Sequence, residues 1–288
     1  MANTTAIKRR IGSVKNTRQI TKAMELVAAS RMRKAQEATL KSRLFSQMAR
    51  ELLTRLSQLT DIKQYELFAE RPVKARLIVV ITSDRGLAGA YNSNSLKKYL
   101  GELKKDGDEK VKNYTICVGQ KAAHLVAKLK DTEVVGVYRD FPDEPSANDL
   151  QPIVGTALEM FIDGRVDAVD VIYTHYFSSI RQEPTVQRLL PAGFSEAPVS
   201  PELRLATFEP SAEAVLENAT RRLIEVQLLQ ALLESIASEH SMRMLAMKNA
   251  TDNANELVDD LTLEYNNARQ ASITQELAEI TGGAEALK

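Results

Sequence analysis

The residues that could do chemistry in this chain are few and scattered. The most suggestive group is the turn Gly86-Leu-Ala-Gly89, which follows the apolar run Ala75-Arg-Leu-Ile-Val-Val-Ile-Thr82 and precedes a helical pattern. Glycines between a strand and a helix let backbone N–H groups close on an anion at the positive end of the helix, as dinucleotide folds do with pyrophosphate. The spacing here is Gly-x-x-Gly rather than Gly-x-Gly-x-x-Gly, and no clear carboxylate ends the second strand to hold a ribose. A tight structural turn is the favoured reading, with Asp84 and Arg85 as capping and surface residues. His124, His175 and His240 stand far from one another and from Cys117, the single cysteine. That leaves neither metal-ligand spacing nor a Cys–His dyad. There is no Gly-Lys-Ser or Gly-Lys-Thr phosphate loop and no Gly-x-Ser-x-Gly elbow. The expectation is no catalytic residue, no metal and no cofactor.

Composition sets the frame. With 288 residues, 44% hydrophobic and 26% charged, this reads as an ordinary soluble protein of one or two domains. No apolar run reaches membrane-spanning length, and residues 1–5 lead into a charged helical pattern without an apolar targeting segment. One cysteine excludes an internal disulfide and fits a reducing compartment. The net charge of zero hides a polarity. Residues 1–57 hold 13 Lys and Arg against Glu25, Glu37 and Glu51, about +10. Residues 211–288 hold 6 basic and 13 acidic side chains, about −7. The two ends attract each other.

The ends must therefore be read together. From Ser211 to Gly282 some 70 residues pass without an internal glycine or proline, which as one helix is roughly 105 Å. A globule of the whole chain is only about 50 Å across, so this helix projects or breaks. Alternate steps of four and three from Ala219 meet Leu223, Val226, Gln230, Leu233, Ala237, His240, Met244, Met247, Thr251, Ala254, Val258, Leu261, Tyr265, Ala268 and Ser272. A 3.5-residue repeat of uncharged residues predicts a left-handed coiled coil. The seam is thin, with Ala, Thr, Gln, His and Ser where Leu is usual, and a series of short bundled helices is the alternative. The same stepping near the start meets Ile7, Ile11, Val14, Thr21, Ala28, Met32, Ala35, Thr39, Ser42, Ser46, Ala49, Leu53 and Leu56, with Arg18 and Glu25 as intruders. Ile20, Met24 and Val27 form a second stripe beside it. The simplest arrangement pairs the two ends as an antiparallel coiled coil. A basic N-terminal arm could instead bind nucleic acid, but the built-in acidic partner argues against that.

All nine prolines and nine of twelve glycines fall between Pro72 and Pro210, marking a separate globular unit. Its strand-like runs are 75–82, 114–119, 133–138, 170–177 and 184–190. Helical patterns lie at 97–104, 120–129 and 147–163. Alternation of this kind predicts a largely parallel α/β sheet, with the last two strands as an antiparallel edge pair. The expected organisation is a coiled-coil helix at 1–57, a linker at 58–74, a Rossmann-like α/β domain at 75–195, a linker at 196–210 and a coiled-coil helix at 211–288. Carboxylates of the last helix are expected on its solvated or basic-facing side.

Several stretches together carry a family resemblance. They are Ile11-Gly-Ser-Val-Lys-Asn-Thr-Arg-Gln-Ile-Thr-Lys-Ala-Met-Glu-Leu-Val-Ala-Ala-Ser-Arg-Met, Thr82-Ser-Asp-Arg-Gly-Leu-Ala-Gly, Ser238-Glu-His-Ser-Met-Arg-Met-Leu-Ala-Met-Lys-Asn-Ala-Thr-Asp-Asn-Ala and Tyr265-Asn-Asn-Ala-Arg-Gln-Ala-Ser-Ile-Thr-Gln-Glu-Leu. Over essentially its whole length the chain resembles the gamma subunits of F-type ATP synthases. The resemblance implies a non-catalytic central rotor shaft that couples turning of a membrane c-ring to conformational change at catalytic sites on an alpha/beta hexamer. Implied partners are the alpha, beta and epsilon subunits and the c-ring, with no nucleic acid. The membrane is met only through that ring, on the cytoplasmic face of a bacterial inner membrane. By similarity, Met24 lies near the catalytic subunits' lever loops, Arg243, Gln270 and Thr274 lie in an upper catch region, and Ile273–Leu287 enters an apolar bearing. A reading from another class is a nucleotide-binding α/β enzyme with a coiled-coil oligomerisation arm.

Overall fold

The computed structural model describes residues 2–59, 65–142, 144–193, 209 and 211–286. It divides into two compact units, Ala29–Met242 and the pair Met1–Ala28 with Arg243–Lys288. The division cuts both long helices, α1 (Ala2–Leu59) and α5 (Ala212–Ala286).

The larger unit is built on a five-stranded sheet of order β3-β2-β1-β4-β5. Its strands are β1 (Ala75–Ile81), β2 (Lys112–Val118), β3 (Glu133–Tyr138), β4 (Ala168–Tyr176) and β5 (Gln182–Leu190). The first four are parallel and β5 runs antiparallel to β4, as the short connection between them predicts. Central β1 is apolar because both of its faces are covered. Ile78 and Val80 face α2 (Tyr91–Asp108) and α3 (Gln120–Val126) with Tyr99, Leu103, Cys117, Val126 and Ile172. Leu77, Val79 and Ile81 face the other way, with Ile153 and Phe161 of α4 (Ala147–Ile162), Leu53 and Leu56 of α1, and Leu223, Ile224 and Leu228 of α5. The period of two sorts one strand between two cores.

Helix α2 is longer than the 97–104 pattern suggests. Its first turns, Tyr91-Asn-Ser-Asn-Ser, are poor helix formers. Burial of Tyr91 and Tyr99 overrides that preference. Most of the expected linkers at 58–74 and 196–210 lies outside the described residues, and the described part of the first includes a short 3-10 turn at Glu66–Phe68.

In the smaller unit α1 and α5 pair antiparallel. The Thr21 and Thr251 hydroxyls meet at 2.8 Å, and Arg18 donates to Asn255 Oδ1 at 3.1 Å, so the α5 number rises as the α1 number falls. Ile7, Thr21 and Ala28 are buried, as are Met247, Thr251, Ala254, Val258 and Leu261. Tyr265, Ala268 and Ser272 are half-buried, and Ile273–Gly282 are exposed. Both charged intruders are accommodated. Arg18 reaches across to Asn255, and Glu25 turns back to Lys22 at 3.0 Å.

Candidate functional site

In a sheet of this order nucleotide binds beyond the carboxyl ends of β1 and β4, where the strand order reverses. Here Ser95 of α2 and Thr174 of β4 are buried and their hydroxyls meet at 3.0 Å. The neighbouring turns after β1, β2 and β3 are tied to one another. The Asp84 carboxylate accepts the Gln120 N–H at 2.9 Å, at the start of α3, and the Asp140 N–H at 3.0 Å. One carboxylate thus caps α3 and ties the turn after β1 to the chain after β3. Asn92 Oδ1 accepts the Ser83 N–H at 3.0 Å, and its Nδ2 donates to Ser83 Oγ at 2.8 Å. At Gly119, with φ +94°, a Cβ would lie 2.2 Å from the Thr82 carbonyl oxygen, so the two turns touch backbone to backbone. In the Gly86–Gly89 turn the left-handed positions are Leu87 (φ 62°) and Gly89 (φ 54°). The glycine geometry therefore serves the turn, and Asp84 caps as the sequence suggested.

A cavity of about 530 Å³ opens elsewhere in the same unit, lined by Arg71, Gln187, Arg188, Leu223, Ile224 and Gln227 among others. Both guanidinium groups are already engaged. Arg188 is bound to Asp170, and Arg71 donates to the Phe161 carbonyl at 3.0 Å with its guanidinium 4.8 Å from the Phe161 ring centroid.

The structure does not gather the four anticipated contact residues into one constellation. Met24 is half-buried on α1 beside the exposed Ile20 and Val27. Arg243 is half-buried on α5, and Gln270 follows 27 residues later, about 40 Å along a helix. Gln270 and Thr274 are exposed one turn apart, and Thr274 Oγ1 donates to the Gln270 carbonyl at 2.9 Å. Leu287 lies outside the described residues. Exposed apolar side chains recur on these helices, at Ile20, Leu26, Val27, Leu245, Ile273, Leu277 and Ile280.

Of the α5 carboxylates, expected on a solvated or basic-facing side, Glu225 and Glu234 are buried and each faces an arginine. Glu225 takes Arg222 at 2.5 Å and Gln151 at 2.6 Å. Glu234 Oε2 meets His175 Nδ1, and its Oε1 takes Arg43 at 3.3 Å. A charge inside the apolar run Ala231-Leu-Leu-Glu-Ser-Ile was the only available signal. A second buried network was also hidden. Arg76 on β1 reaches Asp106 at 3.2 Å, Asp170 at 3.3 Å and Glu102 at 3.6 Å. Burial pushes the Asp106 carboxyl up, Arg76 opposes this, and Glu102 and Asp170 add to the rise. Burial also pushes Glu102 up, but Lys105 and Lys98 more than offset it and its pKa falls below the usual value. These groups pair with one another and none faces an open crevice. They are structural.

Comparison with known proteins gives a single direction. A family profile described as ATP synthase matches residues 3–287. An ATP synthase gamma chain of Stenotrophomonas maltophilia is 40% identical over 288 residues, covering 100% of both chains. One of Xanthomonas campestris pv. campestris is 39% identical with the same coverage. Among solved structures, a chain of the Euglena gracilis mitochondrial ATP synthase OSCP/F1/c-ring assembly matches with a TM-score of 0.68 at 21% identity, over 99% of this chain and 95% of that one. A chain of the Tetrahymena thermophila mitochondrial ATP synthase central stalk and c-ring gives 0.62 at 24% identity, over 80% of this chain and 99% of that one. At these identities the structural likeness speaks for the fold.

Proposed function

The chain belongs to the ATP synthase gamma chain family, whose members are non-catalytic subunits, and we propose that it is the central-stalk rotor of a proton-translocating synthase. The observation that carries the reading is the antiparallel helix pair, whose thin seam leaves apolar side chains exposed. A pair that buries only a stripe and shows Ile20, Leu26, Val27 and Leu245 to solvent is suited to enclosure by other chains. Standing inside a ring of alternating alpha and beta subunits, an asymmetric shaft touches each catalytic subunit differently. It favours a different conformation at each, and turning moves every site through binding, synthesis and release. In this reading Met24, Arg243, Gln270 and Thr274 contact the head at separate heights. Epsilon and the c-ring bind at the other end, and the membrane is met only through that ring, on the cytoplasmic face of a bacterial inner membrane. Among the described residues no helix is long and apolar enough to cross a membrane. The buried Ser95–Thr174 pair beside β1 and β4, with Asn92 filling the turn after β1, counts against the enzyme alternative.

The test is mild extraction of the tagged chain from its native membrane. Alpha and beta subunits should elute with it, and ATP should turn a bead fixed to it. Saturable micromolar ATP binding by the isolated chain, with no head subunits recovered, would overturn the proposal.

A further inference from the structure

Within the larger unit, the sheet meets the two long helices through a polar joint set into an apolar one. Leu223, Ile224, Leu228, Ala231 and Leu232 of α5 hold the helix on the sheet. Such burial is non-directional, so it resists separation far more than turning or sliding. Beside it lies a set of directional bonds. Glu234, 1% exposed, gives each carboxylate oxygen to a different element. Oε1 takes Arg43 of α1 at 3.3 Å together with Gln230 of α5 at 3.1 Å, and Oε2 meets His175 of β4. His175 is itself held edge-on against Phe177, with ring centroids 4.3 Å apart.

Three serines continue the joint at steps of three along one face of α5. Ser235 Oγ accepts the Thr174 N–H at 3.0 Å, and Ser238 Oγ donates to the Thr174 carbonyl at 3.2 Å. Ser241 Oγ donates to the Ser179 carbonyl at 2.9 Å and accepts from Gln182 at 3.2 Å. Thr174 pairs with Pro184 across the β4–β5 ladder, and proline has no N–H to offer its neighbour. The helix thus supplies a donor that β5 lacks at this point.

A buried carboxylate is poor support for stability, since a hydrophobic residue of similar size escapes the desolvation cost. What a junction of three elements at one buried carboxylate does supply is a unique register. We infer that Glu234, with His175 and Arg43, is a positioning residue that keys the α/β sheet to α5 and α1, so that torque applied to the sheet domain reaches the helices without slip. The inference rests on the rotor reading above.

The experiment uses the assembled synthase with a bead attached at Ile180→Cys, because Ile180 is 93% exposed while Cys117 is buried. With the motor paused, the angular variance of the bead reports how stiffly the sheet domain is held. Glu234→Met combined with His175→Leu should broaden that variance about twofold or more while leaving the isolated chain's unfolding temperature equal or higher. Ser235→Ala with Ser238→Ala should broaden it less. Should the apolar pair fail to assemble, Glu234→Gln is read in the same way. An unchanged variance overturns the inference, and a lowered unfolding temperature with unchanged variance marks Glu234 as fold support alone. A wild-type bead that never turns on ATP removes the rotor reading itself and is seen before any variant is made.

Discussion

Between Leu216 and Ser241, α5 is buried on nearly every side, with even Glu225, Glu234, Ser235 and Ser238 closed off. Between Met247 and Ser272 the same helix hides a single stripe and shows the rest to solvent. The second stretch is also the richer in Asn, Asp and Thr, which are weaker helix formers. The first is stabilised by a sheet and two neighbouring helices, and the second by one partner across a seam of Met, Thr, Ala and Val. The difference teaches that secondary structure and stability are assigned separately here. A helix can be continuous while its local free energy of opening falls by most of the protein's stability.

The largest expected effect is on amide exchange in the free chain. Leu77–Ile81, covered on both faces, should exchange only through global unfolding. Residues Asn266–Thr281 should exchange about a thousandfold faster or more. Equal protection of both stretches would mean that the helix pair is self-sufficient and would break the comparison. Next come core truncations. Phe161→Ala, at a fully buried position, should cost about 3–5 kcal/mol. Val258→Ala in the seam should cost about 1–2 kcal/mol. Denaturant titration followed separately in each unit measures both, and a seam cost equal to the core cost would contradict the contrast.

A third test moves to the assembled complex. Met24→Lys adds a cation to the exposed side of the helix pair, which the rotor reading places beside acidic lever loops. It should perturb coupling by about 1–3 kcal/mol while assembly persists. Protons pumped per ATP hydrolysed is the readout, and an unchanged ratio rules the contact out.

The smallest effect concerns pH. Because burial raises the Asp106 carboxyl, the folded chain keeps that proton to higher pH than the unfolded chain does. This group's contribution to stability therefore falls as pH climbs from about 4 upward through the raised value. Asp106→Asn removes the titration, so the variant should lose less stability than the wild type between about pH 4 and about pH 7. Equal losses, measured by thermal melts, would show that Arg76 balances the burial completely.

Much of this architecture could be read from residue order. The four–three series at both ends marks seam residues that are buried or half-buried wherever their side chains are described, and the strand-like run 133–138 coincides with β3. The start of α2 was not legible, because Asn92 and Ser95 look like loop residues until Ser83 and Thr174 are found opposite them. The role of Glu234 was hidden for a similar reason. Its partners on other elements are 59 and 191 residues away in sequence, and local pattern carries no information about them. The proposed contact residues are harder still. Met24 is half-buried and Gln270 and Thr274 are exposed, and the head contacts proposed for them would be set by other chains.

The carboxylate of Asp84 also limits what this sheet could evolve into. Removing it would bare only the Gln120 amide of α3, since Lys121 donates to the Ser83 carbonyl and Ala122 to Thr82 Oγ1, and that helix is seven residues long with little dipole to offer an anion. The Asn92 side chain would still fill the adjoining turn, and freeing it would undo the start of α2. The α/β domain therefore keeps a familiar topology whose ligand position is taken up by its own hydroxyls and amides.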